Sequence, residues 1–387
     1  MRKRRYALGA LLASTLLVVL AACQGSTGSS TGASAGASSN LKIGLVTDVG
    51  TLDDHNFNQY SWEGAKAGAA AIGAPAPQSI VTTQSSDYAK NIQSFVDQNY
   101  DIIVSVGFAL GNDTAAAAKA NPNIKFIGVD QSICVDETGA PDPNFGCKGD
   151  AATLLPNYQG LVFKEYQPGY LAGIVAASIS QSGHIAAIGG TAVVPAVPNY
   201  MIGYYNGAKS VNANIKVDLS YLSGAPDATA FNDPTAGKAA ADQLLSQNPD
   251  IDVLFQVAGK SGNGVLQSAC DHNIHAIGVD VDQFLSTPDT AKCTVTSAEK
   301  KLTNAVSDAI QRVAAGTDKG GTIVLGIDTN SVGLAPFHDS ASMITSAIQQ
   351  KIDDAIAGLK DGSIQACQLD TTTGACAMTA DGQPPTS

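Results

Sequence analysis

The stretch Lys42-Ile43-Gly44-Leu45-Val46-Thr47-Asp48 shows the pattern on which the fold prediction rests. An uninterrupted apolar run is typical of a strand buried on both faces of a parallel sheet. Similar runs alternate along the chain with Ala-rich segments of helical spacing, which predicts an α/β protein with two doubly wound parallel-sheet lobes. The predicted strands are 42–47, 79–83, 102–106, 124–129, 185–188, 217–222, 253–257 and 276–279, and the predicted helices include 62–71, 88–98, 114–120, 169–179 and 236–247.

The phrase Ile-Gly-Val-Asp occurs twice, at residues 127–130 and 277–280. Each copy ends a predicted strand, and the two copies lie in different halves of the chain. Ligands of open α/β sheets bind beyond the carboxyl ends of the strands. Asp48, Asp130 and Asp280 all follow such ends, so we expect them to line a shared cleft. The alternative for each aspartate is a cap on the helix that follows.

Residues 1–22 have the organisation of a secretory signal peptide. Four basic residues, 2–5, precede an apolar run over 6–19, and Leu20-Ala21-Ala22-Cys23 follows. A cysteine in this position is where a bacterial lipoprotein is cleaved and acylated. The apolar run is shorter than the roughly 20 residues that span a bilayer, although an ordinary signal peptide or a membrane anchor is the alternative. Residues 23–40 are rich in Ser, Gly, Ala and Thr, which predicts a flexible tether that holds the exported protein to the cell membrane through lipid on Cys23.

The charge of the chain restricts its ligands. The formal net charge is -12, and removal of the four basic residues of the signal peptide leaves -16 (-12 - 4), because residues 1–22 contain no acid. Such an acidic protein is a poor candidate for nucleic-acid binding, which needs a basic surface. Arg312 is the only arginine left after processing. Since arginine is the favoured residue for phosphate and carboxylate groups, we expect a ligand without strong negative charge.

The cysteine pattern agrees with export. Of the seven cysteines, Cys23 is assigned to the lipid, and the other six form three local pairs, Cys134 with Cys147, Cys270 with Cys293, and Cys367 with Cys376. Disulfides persist in oxidising compartments, although six cysteines allow 15 connectivities and buried free thiols are the alternative. No Cys-x-x-Cys spacing occurs, so the cysteines do not indicate a metal site. Asp271, His272 and His275 could also suggest a metal site, but we interpret this stretch as a polar turn.

Two further motifs do not predict catalysis. Asp53-Asp54 has no nucleophile and base beside it, and Gly259-Lys260-Ser261-Gly262-Asn263-Gly264 lacks the spacing of a phosphate-binding loop. We interpret the glycine-rich segment as a place where the backbone approaches a ligand at the start of the next helix, and Asn232-Asp233-Pro234 as a turn and helix start. Neither a metal nor a cofactor is expected.

The segment from Asp48 to Gly64 closely resembles the basic membrane protein family, substrate-binding lipoproteins of ABC importers whose best understood branch is the purine nucleoside receptors. The resemblance rests on Asp53-Asp54, Phe57-Asn58-Gln59 and Trp62-Glu63-Gly64, and extends through 106–108, 189–190, 258–259, 278–280 and 332–336. It implies a type I periplasmic-binding-protein fold, with two lobes joined by a three-crossing hinge. We place the first lobe at 41–160 with 294–320 returning to it, the second at 161–293 with 321–366 returning to it, and a C-terminal tail at 367–387.

The resemblance also implies a set of ligand-binding residues. Phe57 should stack on a base, with Tyr200 as a second aromatic residue, and Asn58 should make a polar contact. Asp48 and Asp130 should hydrogen-bond the base and its surroundings. Asp280, with Gly278 in the same motif, should take the ribose hydroxyls, and Lys300, or else Lys301, should reach the sugar. Relatives often carry a basic residue just before the second aromatic, where this chain has Asn199.

These features predict a monomeric, extracytoplasmic binding protein that captures a nucleoside and delivers it to an ABC transporter permease. Among nucleosides, a purine nucleoside is the expected ligand. Aromatic side chains favour a stacked base, and a carboxylate accepts hydrogen bonds from two hydroxyls of a ribose. The alternatives are a receptor for a sugar or another neutral metabolite, a nucleoside-cleaving enzyme that uses the cleft aspartates, and a surface sensor without transport.

Overall fold

The computed structural model describes residues 39–142, 146–225, 227–370 and 374–385. The predicted signal peptide, Cys23 and the tether up to residue 38 lie outside this range. Two six-stranded sheets form within it. The first contains β1 Ile43–Val49, β2 Gln78–Thr82, β3 Ile102–Val106, β4 Lys125–Val129, β5 Tyr158–Phe163 and β11 Gly321–Leu325, and the second contains β6 His184–Gly189, β7 Lys216–Tyr221, β8 Val253–Val257, β9 His275–Asp280, β10 Thr294–Lys300 and β12 Val332–Leu334.

Helices lie between the strands in both lobes. They are α1 Phe57–Ala71, α2 Tyr88–Asp97, α3 Gly111–Ala120, α4 Ala151–Leu154, α5 Tyr166–Ile179, α6 Ala196–Val211, α7 Ala228–Phe231, α8 Pro234–Gln247, α9 Gly259–Asp271, α10 Gln283–Ser286, α11 Leu302–Ala314 and α12 Ser346–Asp361. Helix α8 begins as predicted, because the Asp233 side chain accepts a hydrogen bond from the Ala236 N–H and Pro234 occupies the first turn. In the described ranges no helix is both long and apolar enough to cross a membrane.

The strand order is β11-β5-β4-β3-β1-β2 in the first sheet and β12-β10-β9-β8-β6-β7 in the second. Pairing is parallel except for β12, which runs antiparallel to β10. Each of the eight predicted strands is present, and the prediction of two parallel-sheet lobes is confirmed. The interiors of the sheets are buried aliphatic residues, as the continuous apolar runs require.

The chain crosses between the sheets three times, at 164–165, at 301 and at 326–331. The crossings are hydrogen-bonded to one another, since the main-chain N–H of Lys164 donates to Leu325 O and that of Lys301 donates to Ser331 O, both at 2.9 Å. The predicted lobe boundaries need correction at each crossing. Strand β5 keeps residues 161–163 in the first sheet, β10 keeps 294–300 in the second, and β11 keeps 321–325 in the first.

Helices α5 and α6 pack backbone against backbone. A Cβ atom added at Gly173 would lie 2.0 Å from Tyr204 O, and one at Gly207 would lie 2.0 Å from Tyr170 O. Only glycine permits this approach. The contact fixes the start of α6, which carries Asn199 and Tyr200, relative to the start of α5, which follows Glu165.

The three local cysteine pairs are joined in the structure. The Cα–Cα distances are 4.7 Å for Cys134–Cys147, 5.4 Å for Cys270–Cys293 and 5.7 Å for Cys367–Cys376. All three fall in the range that a disulfide needs. The last pair closes the C-terminal segment, which packs on α6.

Candidate functional site

A cavity lies between the two lobes, at the carboxyl ends of the central strands. Its volume is about 880 Å³ including the solvent at its mouth, which is within the range of small-molecule sites. Aromatic and charged side chains from both lobes line it, and these are Phe57, Tyr88, Phe108, Tyr200 and Phe231 together with Asp48, Asp54, Asp130, Asp227, Asp280, Lys260 and Lys300.

The two Ile-Gly-Val-Asp phrases end β4 and β9 in the same way. Asp130 and Asp280 both adopt the left-handed conformation, with φ of 57° and 63°. Asp tolerates this region better than most residues, and a non-glycine residue there is often functional. The turn directs the carboxylate toward the cavity instead of continuing the strand.

The glycine of each phrase supports this turn. A Cβ at Gly128 would collide with Oε1 of the buried Gln131, and a Cβ at Gly278 would collide with Oε1 of the buried Gln283. Each glutamine amide bonds back to its own sheet, because Gln131 donates to Gly107 O and the Val279 N–H donates to Gln283. The structure therefore gives Gly278 a packing role beside Gln283, and Gly278 is not among the residues that line the cavity.

Lys300 is the centre of a buried ion cluster. Its Nζ lies 2.6 Å from Asp130 Oδ2, 3.5 Å from Asp280 Oδ1 and 3.9 Å from Glu165 Oε1. Burial lowers the pKa of Lys300, but the three carboxylates outweigh it and the pKa lies above its usual value. The lysine thus stays charged while it joins Asp130 of the first lobe to Asp280 of the second.

Aromatic rings surround this ammonium group. Its Nζ lies 5.0 Å from the centroid of the Phe57 ring and 5.8 Å from that of Tyr200, distances at which a cation is attracted to the ring. The Tyr200 hydroxyl donates to Ala298 O at 3.2 Å and to Asp280 Oδ1 at 3.3 Å. Tyr200 is 1 % exposed, so it supports Asp280 from behind and offers little ring surface to a ligand.

The loop after β1 supplies the polar wall of the first lobe. Asp54 caps α1, because its carboxylate accepts hydrogen bonds from the main-chain N–H groups of Asn56, Asn58 and Gln59 at 2.8–3.0 Å. This cap places Phe57 and Asn58 at the cavity. Burial raises the pKa of Asp48 to about 7, although a hydrogen bond from the Asn58 side chain acts in the opposite direction.

Two acceptor atoms on the cavity wall have no hydrogen-bond partner within the described ranges. They are Asp130 Oδ1 and Asn58 Oδ1, and both are buried. Buried polar atoms are nearly always satisfied in folded proteins. A ligand that carries N–H or O–H donors would satisfy both.

Seven of the eight predicted ligand-binding residues line one cavity, Asp48, Phe57, Asn58, Asp130, Tyr200, Asp280 and Lys300. Lys301 does not, since its Nζ donates to Asn330 Oδ1 on the outer side of the crossing. Sequence reasoning missed Phe231, Lys260 and Glu165. Two signals were available, since Phe231 directly precedes the Asn-Asp-Pro helix start and Lys260 lies in the glycine-rich segment that was expected to approach a ligand.

The remaining motifs have structural roles. No group of three metal-binding side chains occurs in the part of the chain that the structure describes. The glycine-rich segment is the first turn of α9, and two of its side chains cross the cleft. Lys260 Nζ donates to Thr51 Oγ1 at 3.2 Å, and Asn263 Nδ2 donates to Asp54 O at 3.2 Å.

Two parallel α/β lobes, three crossings and a cavity between the carboxyl ends of both sheets define the periplasmic-binding-protein fold. The fold is that of a solute-binding protein of an ABC transporter system from Aeropyrum pernix, which superposes with a TM-score of 0.71 at 20% identity over 84% of this chain and 92% of that one. A solute-binding protein from Conexibacter woesei gives a TM-score of 0.62 at 21% identity, covering 84% and 98% of the two chains.

Residues 41–365 match the family described as ABC transporter substrate-binding protein PnrA-like, and the chain belongs to this family. It is 30% identical over 381 residues to the ABC transporter nucleoside-binding protein BmpA of Lactococcus lactis, covering 94% of this chain and 99% of the relative. It is 26% identical to basic membrane protein A of Borreliella burgdorferi, covering 89% and 90%. The family consists of extracytoplasmic binding proteins and not of enzymes, so the chain is an ABC transporter substrate-binding protein.

Proposed function

We propose that this protein binds a nucleoside, in the first place a purine nucleoside, in the interlobe cavity and delivers it to an ABC permease. One observation carries the proposal. Asp130 and Asn58, whose Oδ1 acceptors are buried and unpartnered in the described ranges, line a cavity that is also lined by aromatic side chains. A nucleoside offers both matching parts, because its base is flat and its base and sugar carry N–H and O–H donors.

The charge of the cavity favours a neutral ligand. Five aspartates and two lysines line the wall, and Lys300 is already neutralised by its own carboxylate neighbours. A nucleotide phosphate would meet excess negative charge without an arginine. The relative from Lactococcus lactis that is named as a nucleoside-binding protein supports the same assignment.

Phe57 and Phe231 support a two-ring base. Phe57 begins α1 in the first lobe and Phe231 ends α7 in the second, and both line the cavity. In this proposal the base is held between aromatic residues of the two lobes, and Asp280 accepts hydrogen bonds from the ribose hydroxyls. Ligand contacts from both lobes would then stabilise the closed arrangement by hinge closure.

The proposal includes the predicted export and anchoring. Cleavage before Cys23 would leave a monomeric chain that is attached to the membrane by lipid, with the six other cysteines in the three disulfides of the structure. Mass spectrometry of the mature protein checks both points, because a diacylglyceryl mass on Cys23 and the three local linkages are expected. An unmodified Cys23 or other linkages would contradict them.

Isothermal titration calorimetry tests the ligand. Residues 39–387 are unfolded and refolded under oxidising conditions to remove carried-over ligand, and are then titrated with nucleosides, bases, nucleotides and sugars. Purine nucleosides should bind and nucleotides should not. In thermal unfolding, a ligand at 100 times its Kd should add about 2.7 kcal/mol of stability. Silence toward all nucleosides, with binding of a sugar, would refute the nucleoside assignment, and release of free base at turnover rates would refute a binding role.

Two variants place the ligand in the cavity. Asp280→Asn should weaken binding of a ribonucleoside more than binding of its 2′,3′-dideoxy analogue, because only the ribonucleoside has the hydroxyls that Asp280 is proposed to bind. Phe57→Leu should weaken both ligands equally. Lys301→Met is the matched control, since Lys301 lies outside the cavity wall. Equal losses for both ligands in Asp280→Asn would refute the proposed orientation.

A further inference from the structure

The C-terminal segment begins at Ala366, beyond the range 41–365 that matches the family, and its described residues, 366–370 and 374–385, are docked on the second lobe. The Cys367–Cys376 disulfide packs against Ile202 of α6 and against Tyr166. One turn further along the same face of α6, Asn206 Nδ2 donates to Ala366 O at 2.8 Å. The segment is thus part of the folded lobe.

Asn199, on this same face of α6, connects the segment to the ligand cavity. Its Oδ1 accepts a hydrogen bond from the main-chain N–H of Cys376 at 2.8 Å, and its Nδ2 donates to Glu165 Oε2 at 3.1 Å. Asn199 is 6 % exposed, and Cys376 and Glu165 are each 3 % exposed. Because the Cys376 N–H needs an acceptor, it fixes which end of the amide is the oxygen. The amide nitrogen must then face Glu165.

Glu165 is in turn a member of the ion cluster at the cavity. Its Oε1 lies 3.9 Å from Lys300 Nζ, and Lys300 lines the cavity with Asp130 and Asp280. Buried hydrogen-bonded networks of this kind hold each member in a single orientation. The other polar groups that face Glu165 are Asp130 after β4, Asn199 and Tyr200 on α6, and Tyr166 at the start of α5.

We propose that Asn199 is a positioning residue for the ligand cavity, and that the C-terminal segment holds it in place through the main-chain N–H of Cys376. The segment orients the amide, the amide orients Glu165, and Glu165 orients Lys300. Loosening the part of the segment that the Cys367–Cys376 disulfide closes therefore weakens ligand binding, although none of the described residues 366–370 and 374–385 lines the cavity.

The affinity test compares variants of the whole chain by calorimetry, and it rests on the proposed function. Asn199→Leu removes both hydrogen bonds and should weaken nucleoside binding about tenfold, since one hydrogen bond to a charged group is lost. Replacing both Cys367 and Cys376 by serine should give a loss of similar size. The combined variant should be no weaker than Asn199→Leu alone, because both changes break the same connection.

Two further variants make the comparison specific. Asn199→Asp keeps the acceptor for the Cys376 N–H but loses the donor to Glu165, so it should bind weakly even with the segment docked. It also covers the case in which Asn199→Leu fails to fold. Gln383→Ala is the control, because Gln383 Nε2 donates to Leu219 O on the edge strand β7, away from Asn199. Its affinity should be unchanged.

A ligand-free readout separates this proposal from the nucleoside assignment. The Asn199 side chain lowers the pKa of Glu165 by donating to it, against the raising effect of burial. Carboxyl ¹³C NMR titration should therefore show a higher pKa of Glu165 in Asn199→Leu and in the double serine variant, and an unchanged pKa in Gln383→Ala. If the wild-type protein binds no nucleoside, this titration decides alone.

Three results would overturn the proposal. They are an affinity of Asn199→Asp within twofold of wild type, a combined variant whose loss is the product of the separate losses, and a pKa of Glu165 that does not move in either variant.

Discussion

The ion cluster makes a strong prediction about Lys300. Lys300→Met leaves the buried carboxylates of Asp130, Asp280 and Glu165 without their cation, which lies 2.6, 3.5 and 3.9 Å from them. At an effective dielectric constant of about 20, the closest pair alone interacts by about 6 kcal/mol. Desolvation of the lysine offsets part of this attraction. We therefore expect the variant to lose about 3–5 kcal/mol of unfolding free energy at pH 8, as when one partner of a buried pair is removed.

The loss should depend on pH in a defined direction. Burial raises the pKa values of Glu165 and Asp280, and the charge of Lys300 lowers both. Without the ammonium group these two pKa values rise further, so the folded chain binds protons that the unfolded chain does not bind. The free energy of unfolding then decreases as the pH rises through the folded pKa values. The variant should be closer to wild type at pH 5 than at pH 8.

Urea unfolding at both pH values measures this effect, with the fluorescence of Trp62 in α1 as the signal. Lys301→Met is the matched control and should stay within about 0.5 kcal/mol of wild type, because its side chain makes an exposed hydrogen bond to Asn330. A loss below about 1 kcal/mol at pH 8, or an equal loss at pH 5 and pH 8, would refute the reasoning.

Three further predictions follow from the cavity wall, the helix packing and the cleft. Burial raises the pKa of Asp48 to about 7, so the contribution of its protonated form to stability is present below about pH 4 and is lost by about pH 7. In thermal unfolding, Asp48→Asn should flatten this part of the pH–stability curve, and an unchanged slope would contradict the prediction. Gly207→Ala should cost about 3 kcal/mol or more in urea unfolding, because its Cβ meets backbone at 2.0 Å, whereas Gly333→Ala, with nothing within 4 Å, should be nearly neutral; equal effects would contradict the packing argument. Asp53→Asn removes the ion pair that Asp53 forms with Lys260 across the cleft at 3.6 Å. Because the carboxylate is 80% exposed, calorimetry should show at most about a fivefold, salt-dependent loss of affinity, and a larger loss would assign Asp53 to the ligand site itself.

The fold could be predicted from the sequence where burial on both faces of a sheet requires a continuous apolar run. Strands such as β3 and β8 are continuous apolar runs because both faces are covered, and they were predicted with matching bounds. Strand β10 was missed because Thr294, Thr296 and Ser297 make it look polar. These residues are buried and their hydroxyls are hydrogen-bonded within the protein, as in the bond from Thr296 Oγ1 to Ala335 O.

For helix α9 the sequence predicted the start at the glycine-rich segment but no bounds. Gly259, Gly262 and Gly264 near its N-terminus favour a loop by propensity. The structure requires them, because a Cβ at Gly264 would lie 1.8 Å from Pro234 O in the neighbouring helix. Tertiary packing here overrides local preference, and one sequence does not show such packing.

The residues of the candidate site likewise fall into those that a sequence pattern predicts and those whose position depends on tertiary packing. Asp48, Asp130 and Asp280 could be placed together because ligands of open α/β sheets bind beyond the carboxyl ends of the strands, and each aspartate follows such an end. Glu165 could not, since its contact with Lys300 depends on how two separate crossings lie side by side. Phe231 could not either, because it ends the short helix α7 after the edge strand β7, and no pattern in the sequence indicates that this helix reaches the cavity.

The positions of the disulfides have a mechanical consequence. Cys134–Cys147 lies wholly within the first lobe, Cys270–Cys293 wholly within the second, and Cys367–Cys376 within the segment on α6. In the described ranges, no covalent link other than the backbone itself joins the two halves. Disulfide formation therefore stiffens each lobe separately. In the described ranges, the three crossings remain the only covalent connections between the lobes, and these are the segments that must flex. Disulfides in these positions can stabilise the folded lobes outside the cell without restricting the hinge motion that binds and releases the ligand.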